Sequence, residues 1–270
     1  MKYCLTYRPN KEQLMNKADE LSINFNRSDT TLPEFLEKYR NKRIIININI
    51  ENFTDEDMKL LKAIYEKQPI FTLKFSTYDK KFVEDTKEAH MPYFLSKLVN
   101  DWDTFNALIE LGVSDIYIVE HLGFELDLCA EKAHAANIQL RAFPNIAQAS
   151  WIDTPEIKKF FIRPEDVIQY EPYLDVLEFI TTDTSKEGVL YDIYAIDKKW
   201  NGALKEIISD CNIDISSQYI VPRFAENRIR CGKKCLKGSN CTICETIEHL
   251  AKTLEEQKIK VVMKKKEEEE

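Results

Sequence analysis

The clearest pattern in the chain is an alternation. From Ile46 to Glu51, Ile46, Ile48 and Ile50 share one face and Asn47, Asn49 and Glu51 the other. This predicts a strand over 44–51 with two chemically different faces. A helix follows at once. Thr54 stands at its N-cap, Asp55 to Asp57 fill its first turn, and Leu60, Leu61, Ile64 and Tyr65 form its buried stripe. A strand whose apolar face meets such a helix turns its polar face toward the inside of a barrel.

The same reading predicts further strands at 3–8, 71–76, 115–121, 139–143, 160–163, 176–180 and 219–223. A helical stretch is expected after Pro9, reaching about residue 24, and a polar stretch over 77–90. Helices are predicted over 31–39, 92–111, 125–136, 189–208 and 244–257, with Gly112 closing the second of these. Eight strands, most separated by helical stretches, point to an α/β fold of the (β/α)8 TIM-type barrel class or a close relative. No G-x-G-x-x-G turn follows any strand, and the chain has only six glycines. Both facts count against a doubly wound nucleotide-binding sheet. The expected organisation is a barrel over 1–225, a cysteine segment with a C-terminal helix packed on it over 226–258, and a charged tail over 259–270. Its last residues, 264–270, are expected to be disordered.

Composition adds one strong local signal. Cys231, Cys235, Cys241 and Cys244 are spaced C-x3-C-x5-C-x2-C, with Gly232 and Gly238 among them. Paired cysteines at short spacing place thiolates at metal-ligand distance, and glycines permit the tight turns between them. The expectation is a four-cysteine metal knuckle holding zinc or an iron–sulfur cluster. Cys4, Cys129 and Cys211 stand in apolar or helical contexts and read as buried free thiols. No apolar run is long enough to span a membrane, and the first residues are too polar for a signal peptide, so a cytoplasmic chain is expected.

A formal charge of −8 argues against broad nucleic-acid binding. Locally the balance reverses, because Arg223, Arg228, Arg230, Lys233, Lys234 and Lys237 crowd the cysteine segment. Two readings stand: compensation of four thiolates on a divalent ion, or contact with an anion or RNA.

In a barrel of this kind chemistry sits at the C-terminal ends of the strands. Reading those ends gives Glu51, His121 and Glu178 as candidate catalytic groups, with Asn49, Arg141, Arg163 and Arg223 as candidate substrate contacts. Tyr7, Arg8, Ser76, Glu120, Asn145 and Glu165 lie at the same ends, and Trp151 lies in a loop near the expected mouth. This set suits a small anionic or polar substrate. A salt-bridged rim is the alternative for any single member.

The middle of the chain carries a resemblance. Leu122-Gly123-Phe124-Glu125-Leu126 follows the strand ending at Glu120, Arg141-Ala142-Phe143-Pro144-Asn145 ends the next, and Phe161 to Asp166 leads to Tyr173-Leu174-Asp175-Val176-Leu177-Glu178. Over about residues 40–245 this pattern resembles the collagenase-like peptidase family of barrel proteins, which includes tRNA- and ubiquinone-hydroxylation factors. The resemblance implies a barrel with a cysteine-ligated iron–sulfur cluster and a hydroxylation or peptidase-like activity. That family's hydroxylation members scatter their cluster cysteines along the chain, whereas all four lie here between Cys231 and Cys244. No serine or cysteine nucleophile with a positioned base is visible in the sequence, so proteolysis rests on the resemblance alone. Two functional classes follow. One is an enzyme of redox or hydroxylation type acting on RNA or a small anionic substrate. The other is a non-catalytic binding or assembly protein with a structural zinc.

Overall fold

A computed structural model describes residues 1–149, 154–181 and 183–269. Trp151 lies outside the described residues. The chain divides into two compact units. The first is 1–118, 130–142 and 174–180; the second is 119–129, 143–173 and 181–270.

The first unit is a barrel of parallel strands: β1 (Lys2–Thr6), β2 (Glu20–Asn24), β3 (Arg43–Ile48), β4 (Phe71–Phe75), β5 (Tyr93–Leu95), β6 (Leu98–Val99), β7 (Asp115–Ile118), β8 (Gln139–Ala142) and β9 (Val176–Glu178). The ladder runs β5-β4-β3-β2-β1-β9-β8-β7-β6, and all eight pairings are parallel. Its two ends, β5 and β6, are consecutive pieces of one segment, separated only by Ser96 and Lys97. The N–H of Ser96 donates to Phe75 O on one side, and that of Ser114 donates to Tyr93 O on the other, each at 2.7 Å. The sheet therefore closes on itself as a ring of eight staves in chain order. This is the (β/α)8 arrangement.

Six of the predicted strands are present and two are not. Residues 160–163 make one antiparallel bridge, Gln148 to Phe160, and join no ladder. Residues 219–223 end one 3₁₀ turn, Ser217–Tyr219, and begin the helix Arg223–Ile229. Their places in the ring are taken by β2, predicted as helical, and by β5/β6, predicted as the start of a long helix. That helix is only Trp102–Leu111, with Asp101 accepting from the N–H of Thr104 and Gly112 in the left-handed region at its end. The polar stretch after β4 contains the helix Lys80–Glu88. The C-terminal helix, Ile243–Glu269, continues through the tail expected to be disordered. Among the described residues no helix is long and apolar enough to cross a membrane.

The helix Asp55–Lys67 shows how local chemistry fixes an element. Thr54 and Asp57 form a reciprocal capping box, and Arg27 grips both carboxylate oxygens of Asp57 at 2.5 and 2.6 Å. The Arg27 guanidinium pulls the Asp57 carboxyl from 3.8 down to about 2, against burial, with Thr54 adding to the pull. A depressed carboxyl stabilises the fold above its unfolded pKa, and that contribution fades as pH falls from about 4 to about 2. NMR titration of Asp57 is expected to give a midpoint near 2, and Arg27→Gln to return it toward 3.8. An unchanged midpoint in the variant would mean that the pair does not form in solution.

Candidate functional site

The strands of the barrel turn alternate residues inward, and the inside is ionic. Arg141 on β8 is fully buried and reaches Glu20 on β2 at 2.7 Å, Asp115 on β7 at 2.9 Å and Glu178 on β9 at 3.2 Å. Arg43 on β3 crosses the ring to grip both oxygens of Asp115 at 2.7 and 2.5 Å and to donate to Gln139 on β8 at 2.6 Å. Lys74 on β4 lies 3.0 Å from Glu178 Oε1 and 3.0 Å from Tyr117 Oη, whose hydroxyl donates to Glu178 Oε2 at 2.5 Å. The three cations Arg43, Lys74 and Arg141 thus meet the three carboxylates Glu20, Asp115 and Glu178. A buried ionic cluster is tolerable only when its charges balance and its hydrogen bonds are made.

Position along the strands divides the cluster. Glu20, Arg43, Asp115 and Gln139 open their strands and sit at the N-terminal end of the ring. Lys74 and Tyr117 stand one residue before the ends of β4 and β7, and Glu178 closes β9. The second group faces the C-terminal mouth and keeps some exposure, 13% for the Lys74 side chain and 7% for that of Glu178. Beside it Asn47 pairs with Lys74 in the β3–β4 register and donates to Ser22 Oγ at 2.9 Å and Asn24 Oδ1 at 3.1 Å. The inward polar face of β3 is therefore real, but it ends at Asn47.

The electrostatics keep each group in a defined state. Burial pushes Glu178 up, but Lys74, Arg141 and the Tyr117 hydrogen bond outweigh it and hold the carboxyl below its ordinary value. Asp115 is likewise lowered, burial being overcome by Arg43 and Arg141. Burial, then Glu178, raises the Tyr117 phenol well above its ordinary value, so it stays protonated at neutral pH. The mouth therefore presents a carboxylate, a phenol donor and a lysine within one hydrogen-bonded group.

Of the predicted site residues, only Arg141 and Glu178 come together. Asn49 and Glu51 leave the strand. Asn49 instead caps the 3₁₀ turn Ile50–Asn52 by accepting from the N–H of Glu51, and both side chains are exposed. His121 lies in a helical turn of the second unit and faces Glu125 at 3.2 Å. Arg163 is buried in that unit, where it grips both oxygens of Asp166 at 2.6 Å and donates to the carbonyls of Ser217 and Ile220 at 2.8 Å. Its donors are spent on holding that unit together. Arg223 begins a helix and is exposed. Lys74 and Tyr117 were missed, although the rule applied to β3 reaches them. Lys74 alternates with Leu73 and Phe75, and Tyr117 with Ile116 and Ile118, on the inward face.

The cysteine segment belongs to the second unit. Cys231 follows the helix Arg223–Ile229, Cys235 sits in the 3₁₀ turn Lys234–Lys237, and Cys244 lies in the first turn of the C-terminal helix. Gly232 and Gly238 are left-handed, as is Lys233, so the backbone doubles back as the spacing suggested. All four thiols are free and half-buried. Burial raises the Cys244 thiol, Arg228 pulls it back, and Cys231, Cys235 and Cys241 each push it up, which places the four within electrostatic reach of one another. Among the described residues, however, no three His, Cys, Asp or Glu side chains converge closely enough to hold a metal ion.

The basic patch is smaller than the sequence implied. Arg228 is buried against the rings of Phe124, Phe161 and Phe224, with its guanidinium carbon 4.6 to 4.8 Å from their centres. Lys233 is also buried. Arg230 pairs with Asp127 at 3.2 Å and Lys237 with Glu125 at 3.6 Å.

No protein-family model matches the chain, and no curated protein matches it. Solved structures of similar shape include a native KDPGal structure, with 10% identity, TM-score 0.46, 73% of this chain and 93% of that one covered. Another is tryptophan synthase from M. tuberculosis in an open form with BRD0059 bound, at 9% identity and TM-score 0.46, covering 84% and 93%. A third is a glycerophosphodiester phosphodiesterase from Agrobacterium tumefaciens, at 9% identity and TM-score 0.44, covering 66% and 96%.

Proposed function

We propose that this chain is a barrel enzyme that performs proton-transfer chemistry on a small polar or anionic substrate at the C-terminal mouth of its ring. The observation that carries this reading is the placement of Lys74 Nζ 3.0 Å from both Glu178 Oε1 and Tyr117 Oη at the strand ends, with Lys74 and Glu178 still partly exposed. Glu178 is the proton acceptor, Lys74 is the donor that orients a polar substrate group, and Tyr117 bridges the two by accepting from Lys74 and donating to Glu178. Arg141 holds Glu178 in place from below.

We further propose that Cys231, Cys235, Cys241 and Cys244 draw together around a metal. The spacing and the left-handed turns at Gly232, Lys233 and Gly238 support this, and metal binding would bring the four thiols closer together than they stand here. An iron–sulfur cluster would extend the activity to redox or hydroxylation chemistry; a zinc ion would make the knuckle structural. A non-catalytic role is the second reading, favoured by the balance of three charges against three inside the ring.

The test is a ligand-observed NMR screen of small hydroxylated and anionic compounds against the whole chain and Glu178→Gln, with metal analysis of protein purified without oxygen. Ligands that bind the wild type and lose about tenfold in affinity in Glu178→Gln, at unchanged metal content, support the mouth. Ligands indifferent to Glu178 would remove it from the site. In the same preparation Cys231→Ser is expected to lose the metal, and a wild-type chain free of both iron and zinc would end the metal proposal.

A further inference from the structure

Lys74 is more than a charge partner. We propose that it is an amine nucleophile that forms an imine with a short hydroxylated aldehyde or ketone. This inference rests on the reading of the mouth as the active site and names its substrate class.

Three observations point there. First, Lys74 is set on an inner strand of a closed ring, fixed by a carboxylate and a phenol at 3.0 Å each, while part of its side chain meets solvent. The carboxylate and the phenol oxygen both accept from this one nitrogen, so its position at the mouth is fixed. Second, its register neighbour Asn47 carries a buried acceptor, Oδ1, for which the described residues supply no donor, while its amide nitrogen is committed to Ser22 and Asn24. A buried acceptor left without a donor costs stability, so the position calls for a ligand N–H or O–H beside Lys74. Third, a groove of about 290 Å³ opens at the C-terminal ends of β1 and β2, and Asn24, which contacts Asn47, forms part of its wall. The rest of that wall is mixed, with Tyr7, Arg8 and Asp29 among its polar members and Ile23, Leu32 and Phe35 among its apolar ones. A groove of mixed lining, joined to the orphan acceptor through Asn24, fits a short carbon chain that carries hydroxyls.

The chemistry balances within the residues present. The Lys74 ammonium passes one proton to Glu178. The free amine adds to the substrate carbonyl, forming a C–N bond, and the carbonyl oxygen takes up the second ammonium proton to give a carbinolamine. Glu178 returns its proton to the hydroxyl, which leaves as water. The products are a protonated imine on Lys74 and an ionised Glu178, and no oxidant, reductant or co-reactant is consumed. Tyr117 donates to Glu178 at rest; once Glu178 has taken the Lys74 proton it no longer needs that hydrogen bond, and the phenol, which stays protonated, turns to donate to the developing alkoxide.

The experiment is reductive trapping with peptide mapping. The whole chain is incubated with dihydroxyacetone or glyceraldehyde and cyanoborohydride, and each lysine's adduct is quantified by mass spectrometry. Lys74 is expected to be labelled at least about tenfold more than the median exposed lysine, with saturation in carbonyl concentration, and Asn47→Ala to lower that labelling about tenfold. Lys74→Arg preserves the charge and the contact with Glu178 but cannot form an imine, so it controls for folding and is expected to remove the saturable adduct. Labelling of Lys74 at or below the exposed lysines would overturn the imine proposal. Parallel NMR binding of the same compounds separates the two readings. Binding that depends on Glu178 without an adduct overturns the nucleophile and leaves the mouth in place, whereas neither binding nor adduct removes dihydroxyacetone-like carbonyls as the substrate class.

Discussion

Arg141→Met is expected to destabilise the protein by about 3–5 kcal/mol, because it strips the shared cation from buried carboxylates. Glu20 and Asp115 keep Arg43 nearby, and Glu178 keeps Lys74, but each loses a close partner in a site that is buried or nearly so. The pH dependence should identify the cause. Asp115 and Glu178 are held below their ordinary values in the folded chain. Such groups stabilise the fold above their unfolded pKa values, and the benefit is lost as pH falls through the folded ones. Without Arg141 burial has less to oppose it, and both carboxyls move upward. The gap between wild type and variant is then widest near neutral pH and narrows in acid, as the wild type loses its advantage and the variant's carboxyls become neutral. Denaturant unfolding at pH 7 and near pH 4 measures it. A gap that is the same at both values would point to lost packing against Phe94 and Tyr117, whose rings Arg141 also covers.

Arg163→Leu is the second large effect, also about 3–5 kcal/mol, and it acts in the other unit. Asp166 would remain buried without the cation that grips it, and the carbonyls of Ser217 and Ile220 would each lose a donor. Burial already raises the Asp166 carboxyl even with Arg163 and its hydrogen bonds pulling it down. The folded state therefore favours the protonated acid, a contribution present at low pH and lost as pH rises through the folded pKa. Arg163→Leu should raise that pKa further and be most harmful at neutral pH. The double variant Arg163→Leu/Asp166→Leu is expected to recover part of the loss. If it is no more stable than the single one, the carbonyl contacts, and not the stranded charge, account for the cost.

The alternation over β3 was enough to say that a polar face lines a barrel, and Asn47 shows that it does. It could not say where the strand stops. Asn49 folds its own side chain back to the N–H of Glu51, a local bond that competes with the ladder and ends it. Two staves were illegible for a related reason. β2 carries the same alternation as β3, with Leu21 and Ile23 between Glu20, Ser22 and Asn24, but it is only five residues long and follows directly on a polar helical stretch, so the sequence alone does not separate strand from helix. The β5/β6 stave is broken at Ser96 and Lys97 and runs into the apolar helix behind it. Conversely, Phe160, Phe161 and Ile162 are apolar because they are buried in the second unit, and burial alone does not make a strand; over 219–223 only Ile220 is buried. The eight-stave count came from six correct strands and two substitutions. Glu178 and Arg141 are legible as charged residues near strand ends, whereas Lys74 and Tyr117 are hidden because the sequence extends their strands to Ser76 and His121 and points to the residues there. Arg163 misled because a buried clamp and a substrate-binding arginine look alike until their acceptors are known.

The two units are threaded through one another along the gene. Passing from residue 1 to 270, the chain changes unit five times, after 118, 129, 142, 173 and 180. No single cut yields either unit whole. A fragment ending at residue 225 would contain every stave of the ring, yet it would also carry 119–129, 143–173 and 181–225 without the remainder of their own unit. Deletion mapping, the usual route for assigning a function to one half of a protein, is therefore closed here. The ring and the cysteine segment have to be told apart by point substitution in the intact chain.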